Sequence, residues 1–367
     1  MSEDVYDRIL GCMVGNALGD AFGAVVEFCS ADRVEKLAGQ QWVDQFLPFP
    51  DDFGTHPVGV WQAAPPRGTG TDDTRNNHTF AECVIRNGGQ VNSQLLAVEH
   101  VERYRDRALF YPNHEELAEK HFGHMYERSC AYLGMKELPS GTPTWVVASQ
   151  GRSFPTLTGL ISLAFAGLLY VGEPEKAYAK TFELSFLDLG YARDATAMMA
   201  AMVSAALGGD LSGKEMVKLG LEIDPFNFRR RIMVDELEKF FQLADEADSD
   251  QALVDVIARE VAHRHPYDPI DVLGQPAAAV YYCDGDPVRS IVMAANDRDL
   301  DENGRLKQLR DVDCTAGVAG ALTGALHGAQ AFPEDWVADV LKANQEVYGI
   351  DIEGNARRFY EVVYGAK

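Results

Sequence analysis

A chain of 367 residues with 33 Lys and Arg against 56 Asp and Glu carries a formal net charge of −23, and 46% of it is hydrophobic. That length can bury a sizeable core, whereas the charge repels nucleic-acid phosphates and anionic lipid, so neither is expected as a partner. A polyanionic small ligand would need a metal ion or backbone N–H groups to hold it.

The first residues, Met1-Ser2-Glu3-Asp4, are acidic where a secretory signal would be basic. Six cysteines, at 12, 29, 83, 130, 283 and 314, form no Cys-x-x-Cys pair. Together these point to reduced thiols and a cytoplasmic location. Ser2 is placed to cap a helix from Val5 to about Ala24, with Val5, Ile9, Met13, Ala17 and Ala21 along one face. Gly11, Gly15, Gly19 and Gly23 recur along it at every fourth position. Each costs up to about 1 kcal/mol of helix propensity against Ala. A stripe of that kind calls for another backbone in close approach. If the helix runs on to Glu27, that residue shares a face with Asp20. Ala24-Val25-Val26 would then desolvate Glu27 and raise its pKa; otherwise it is a solvated surface residue.

Further along, Val58-Gly59-Val60-Trp61 and Trp145-Val146-Val147 are the best short strand candidates, and neither alternates for long. Thr71-Asp72-Asp73-Thr74, preceded by Gly68-Thr69-Gly70, opens a helix-like segment with Phe80, Cys83 and Val84 at helical spacing. Leu157 to Val171 is the most apolar stretch; it falls short of the ~20 residues of a membrane span and predicts a buried helix. Asp194 opens another helix, uncharged from Ala195 to Leu207 and stopped by Gly208-Gly209. Residues 212–262 are more charged than their surroundings and predict a peripheral helical layer. Asp311-Val312-Asp313 precedes an uncharged run from Cys314 to Leu326 that carries Gly317, Gly320 and Gly324, with Gly328 just beyond it. Pro333 opens a last clear helix, with Trp336, Val337, Val340, Leu341 and Val347 inward and Gly349 after it. The whole predicts one all-α, compact multi-helix domain over residues 1–367.

The two acidic pairs, Asp72/Asp73 and Asp311/Asp313, carry the chemistry. Asp and Thr at helix starts are ordinary N-caps, because their oxygens accept bonds from free backbone N–H groups. Capping needs one acid, however, and here there are two pairs. Oxygen-rich, thiolate-poor clusters suit Mg²⁺ or Mn²⁺, so a fold that joins the two ends makes a metal enzyme. Two other patterns lead elsewhere. Asp299-Leu300-Asp301-Glu302-Asn303-Gly304 opens like an EF-hand loop, but Arg310 stands where the bidentate Glu is needed, so it predicts a solvated turn that could border the site. His121/His124 and His263/His265 have metal-like spacings without acidic or thiolate neighbours, and zinc is not expected there.

Gly15-Asn16-Ala17-Leu18-Gly19-Asp20-Ala21-Phe22-Gly23, followed by Glu27, resembles the opening motif of the ADP-ribosylglycohydrolase family, the ADP-ribosyl-acceptor hydrolases. Gly70-Thr71-Asp72-Asp73-Thr74 looks like that family's first metal motif. Asp311-Val312-Asp313, with Ala316, Ala319-Gly320-Ala321 and Gly324-Ala325, looks like its second. Three motifs in the right order span most of the chain. The resemblance implies an all-α bundle around a central site for two Mg²⁺ ions, with Mn²⁺ possible, held by Thr71, Asp72, Asp73, Asp311 and Asp313. Directly after the second Asp the family pattern has Thr or Ser; here it is Cys314, with Thr315 one residue late. Thiol sulfur is a poor partner for Mg²⁺, so the register shifts to Thr315, water fills in beside Cys314, or this coordination position is lost.

The implied activity is hydrolysis of the bond between ADP-ribose, or a related ribosyl group, and its acceptor. Cleavage at ribose C1 passes through an oxocarbenium-like state that carboxylates stabilise, and paired divalent ions can hold ribose hydroxyls and a water. Glu27, Asp72 and Asp313 are the candidate catalytic groups, Glu27 as gate or general base. Asp20, Gly68 and Gly70 are expected on the substrate side. Trp61 would stack on adenine or simply cover the core. In the middle of the chain the family's Asn-Gly-x-x-Met-Arg-type segment is replaced by Ser149-Gln150-Gly151-Arg152-Ser153, and the stretch from Phe186 to Asp194 lacks its Thr-His pair. Gln150, Gly151, Arg152 and Tyr191 are therefore ligand-contact candidates, or ordinary residues at helix ends. The expected partner is an ADP-ribose-type ligand or an ADP-ribosylated protein. Two alternatives stay open: an N-glycosidase for a nucleoside-like metabolite, and a non-catalytic relative that binds ADP-ribose or serves structurally.

Overall fold

The glycine stripe of the first helix finds its partner at the far end of the sequence. The computed structural model describes residues 3–135 and 155–365. In it the Glu3–Ala24 helix lies antiparallel against the Val312–His327 helix, with Gly11 facing Gly324 and Gly23 facing Val312. A methyl group on Gly15 would stand 2.1 Å from the Gly320 carbonyl oxygen, and one on Gly19 only 1.9 Å from that of Ala316. Only a residue without Cβ permits this contact, which offsets the propensity lost to four glycines. The same contact sets the C-terminal end of the first helix beside the N-terminus of the second.

The first helix stops at Ala24, in a turn where Phe28 adopts a left-handed φ of 51°. There the chain leaves to pair with a short strand: Phe28 N–H donates to Arg310 O at 3.2 Å, and Leu309 N–H to Cys29 O at 3.0 Å. The expected helical continuation to Glu27 is therefore corrected. Asp20 and Glu27 do not share a helical face, because main-chain pairing takes over before the next turn.

A third helix, Asp72–Arg86, is fastened to the first by Asp20. The Asp20 carboxylate accepts the N–H groups of Thr71 (2.8 Å) and Thr74 (3.0 Å) and the Thr74 hydroxyl (2.5 Å). It thus satisfies donors at a helix start from outside the helix. The Ala192–Gly208, Pro269–Tyr282 and Pro287–Ala294 helices pack around the Val312–His327 helix. Outside them, Gly213–Glu222, Ile232–Glu246 and Asp250–Glu260 turn Met216, Phe240 and Ile257 inward and charged residues outward. Pro333 caps the Glu334–Tyr348 helix and Gly349 ends it in the left-handed region.

The described residues are mostly helical, and the protein is all-α. The one sheet among the described residues is a hairpin, Arg298–Leu300 with Leu306–Leu309, whose turn is tied by Asp301 accepting from Asn303 N and Arg305 N. The EF-hand-like stretch is that turn. Residues 58–61 form no strand, and 145–147 lie outside the described residues. The apolar stretch 157–171 is buried as expected but is not an α-helix; it makes turns and then a 3₁₀ segment, Ala164–Leu169. The reason lies in its neighbours. Asp188 Oδ1 takes the Gly159 N–H (2.8 Å) and Asn77 Oδ1 that of Ala164 (2.9 Å), so side chains supply what a helix would draw from its own carbonyls.

Candidate metal centre

Three helix ends converge. The close-packed pair brings Glu27, on the turn after the first helix, to Asp311 and Asp313 at the start of its partner. Asp20 then places Thr71, Asp72 and Asp73 alongside. Thr71, the N-cap of the third helix, donates its hydroxyl to Asp313 Oδ2 at 3.2 Å. The Asp313 Oδ1 accepts the Cys314 N–H at 2.8 Å, and the Cys314 thiol donates to Asp73 Oδ2 at 3.2 Å. Ligand atoms of Asp73, Asp313 and Cys314 lie within 4.8 Å of one another, as do those of Glu27, Asp311 and Asp313. Asp313 belongs to both groups.

The cluster opens on a cavity of about 300 Å³, walled by Glu27, Asp72, Asp311, Asp313 and Cys314 on one side and by Arg128, Leu157, Thr158 and Tyr267 on others. Val58 and Gly59 form the rim. They are held by the buried Arg75, whose Nη2 donates to the carbonyls of residues 57–59 while its plane stacks on Trp61 and Tyr348.

So many carboxyls in a buried place oppose one another's ionisation. Burial, ahead of the charges of Asp313 and Asp20, pushes Asp72 up to about 7 against the pull of Arg75. Burial and then Asp20 push Asp313 up to about 7. Burial raises Asp73 and Asp311 well above the usual carboxylate range, with Asp313 adding to each. Glu27 is raised likewise, by burial and then by Asp313, Asp311 and Asp72, and it shares a hydrogen bond with Asp311. Asp311 Oδ2 is buried with no hydrogen-bond partner. Hard oxygen donors, a surplus of negative charge and an orphaned carboxylate oxygen are what a divalent cation would satisfy. The oxygen donors fit the metal that the motifs imply; the Cys314 thiol among them does not.

Other expected site residues have different places. Asp20 is fully buried beneath the cluster and committed to Thr71 and Thr74, so it positions ligands and does not meet a substrate. Trp61 covers core: its ring packs against Tyr111, His121 and Tyr348, and its N–H donates to Pro57 O at 2.7 Å. Gly68 and Gly70 serve packing, the first against Asp339 backbone and the second against Thr74 and Asp20. Tyr191 donates its hydroxyl to Asp268 Oδ2 at 2.7 Å and does not line the cavity. The Thr315 hydroxyl turns away and donates to Ala294 O at 2.9 Å, so a shifted register does not restore a hydroxyl ligand; Cys314 holds that place. Gln150, Gly151 and Arg152 lie outside the described residues. Among the described residues His121, His263 and His265 join no metal-binding group; the side chain of His124 lies outside them.

Sequence reasoning missed Arg128 and Tyr267. Arg128 sits within the Glu115–Tyr132 helix, where nothing distinguishes it from a surface cation. Tyr267 directly precedes Asp268-Pro269, a legible helix start, but no local signal aims that start at the acidic pairs.

The sequence profile of the ADP-ribosylglycohydrolase family matches residues 1–367. A 90-residue stretch, 24% of this chain and 25% of the relative, is 32% identical to the Escherichia coli (strain K12) protein named uncharacterized protein YegU, so the match spans about a quarter of each. A solved structure described as an ADP-ribosylglycohydrolase-related protein complex superposes over 99% of this chain and 100% of its own, with a TM-score of 0.62 at 19% identity. That likeness shows the fold.

Proposed function

The chain belongs to the ADP-ribosylglycohydrolase family, and from that premise we propose that it is a metal-dependent hydrolase cleaving the glycosidic bond between ADP-ribose, or a related ribosyl group, and its acceptor. The observation that carries this reading is the cluster of carboxyls, Glu27, Asp72, Asp311 and Asp313, at one wall of a ligand-sized cavity, with Asp73 against Asp313 and Cys314. Asp73, Asp311 and Asp313 would hold two divalent ions, Mg²⁺ or Mn²⁺, with Thr71 orienting Asp313. Such ions, when bound, fix ribose hydroxyls and a water near the anomeric carbon.

The chain's own groups do the rest. Asp72 and Asp313 place negative charge where positive charge develops at ribose C1. Glu27, lining the cavity and sharing a hydrogen bond with Asp311, is placed to take a proton from the attacking water. Arg128 offers a cation to a phosphate of the ligand, and Tyr267 offers the aromatic face that Trp61 does not. No helix among the described residues is long and apolar enough to cross a membrane. A cytoplasmic location belongs to the same proposal, resting on six thiols that form no disulfide.

The cavity volume lies at the low end for ligand sites, which run from roughly 300 Å³. That observation favours a second reading, an N-glycosidase for a smaller nucleoside-like substrate. Both are tested by release of free ADP-ribose from arginine- and serine-linked ADP-ribosylated protein, with divalent ion and with chelator, beside Asp72→Ala. Metal-dependent release that the variant loses supports the first. Metal-dependent binding of ADP-ribose without release points to the non-catalytic relative, and neither release nor binding sinks the ADP-ribosyl reading.

A further inference from the structure

The two groups of ligand atoms are chemically unequal. Glu27, Asp311 and Asp313 offer oxygen only, whereas Asp73, Asp313 and Cys314 offer two carboxylates and a sulfur. The thiol is not apolar filling. It is buried, it points at Asp73 Oδ2 from 3.2 Å, and it interacts with Asp311 as well. A second observation marks the same cluster as made for a cation: Asp311, itself buried and lining the cavity with Cys314, leaves its Oδ2 without a hydrogen-bond partner. Nor does the chain supply a hydroxyl in place of the thiol, because Thr315 is turned to Ala294.

Donor type then decides the ion. Mg²⁺ holds oxygen ligands and gives up water reluctantly. Thiolate sulfur selects Zn²⁺ and its borderline neighbours such as Co²⁺, whereas carboxylate, carbonyl and water suit Mg²⁺ and Mn²⁺. We propose that this is a mixed-metal centre, in which the oxygen-only side, Asp311 and Asp313 beside Glu27, takes Mg²⁺ or Mn²⁺ and the Asp73–Asp313–Cys314 group takes a thiophilic divalent ion, with Zn²⁺ as the best fit. On binding, the ion replaces the thiol proton now donated to Asp73. Asp313 belongs to both groups, so loading one position would change the other. The inference rests on the reading of this cluster as a metal centre.

The test uses full-length protein stripped of metal and then offered Zn²⁺ together with excess Mg²⁺, followed by metal analysis after desalting into Mg²⁺ buffer. Wild-type protein is expected to retain one equivalent of Zn²⁺. With Co²⁺ it should show a near-ultraviolet thiolate-to-metal charge-transfer band, and X-ray absorption should report a Zn–S distance of about 2.3 Å. Cys314→Ser and Cys314→Thr should lose the band and lower Zn²⁺ affinity by about 100-fold or more, beyond the cost of losing an outer-shell partner, while both still bind Mg²⁺. If wild type binds Mg²⁺ at both positions, with no sulfur band and no response to either variant, this inference is overturned and the binuclear reading stands. If no divalent ion binds at all, the metal-centre reading itself fails.

Discussion

Replacing Gly19 with Ala tests the contact from which the site is built. On an ordinary helix the change would stabilise by about 1 kcal/mol through propensity alone. Here the new methyl lies 1.9 Å from the Ala316 carbonyl oxygen, where Cβ atoms do not come closer than 3.0 Å, so the two helices must open by about 1 Å. The obstacle is backbone of a buried helix that cannot rotate aside, which places the overpacking cost at the upper end of about 1–3 kcal/mol. Net destabilisation of about 2 kcal/mol is expected. It reads as a lower urea midpoint with unchanged slope, and as weaker divalent-ion binding, since the opened seam separates Glu27 from Asp311 and Asp313. Gly54→Ala, at an exposed position with nothing within 4 Å, should stay within about 0.5 kcal/mol of wild type. Gly19→Ala matching that control, or exceeding wild type in stability, would refute backbone contact between the helices.

Asp20→Ala leaves the buried donors of Thr71 and Thr74 without an acceptor and is expected to cost about 3 kcal/mol. It should also weaken divalent binding about 10–100-fold, as loss of an outer-shell partner does; isothermal titration showing unchanged affinity would remove Asp20 from its positioning role. The pH dependence follows from the raised carboxyls. Asp72 and Asp313 reach about 7 in the folded protein, against roughly 4 unfolded. Between those values the folded state binds more protons, so metal-free protein loses stability as pH rises through about 7. Thermal melts of chelated protein should fall from about pH 5 to 8, and saturating divalent ion should flatten the slope. A metal-free melting temperature that rises over this range contradicts the buried cluster.

Helix starts and stops were legible because their signals are local. Gly208-Gly209 and Gly349 end helices where their backbone freedom predicts, and Pro333 begins one. The glycine stripe was equally legible as a demand for a second backbone, since four costly residues in register need a common compensation. What sequence could not show was where side chains from elsewhere would take over main-chain groups. Asp188 and Asn77 unwind the apolar stretch at 157–171, and the strand at Leu306–Leu309 halts the first helix before Glu27. Trp61 and Asp20 look like ligand residues when read beside their neighbours in the chain, yet each is consumed by partners remote in sequence, Tyr348 for one and Thr71 for the other.

Sequence by itself determined the all-α class, the two acidic pairs and the oxygen-rich donor types, because propensity, capping and ligand softness are properties of residues and their near neighbours. Only the tertiary structure decided that Glu27 joins Asp311 and Asp313, that Cys314 and not Thr315 faces Asp73, and that Arg128 and Tyr267 wall the cavity. Those facts depend on contacts across hundreds of residues: the glycine stripe calls for a close backbone, but no local pattern says which one or what side chains it brings.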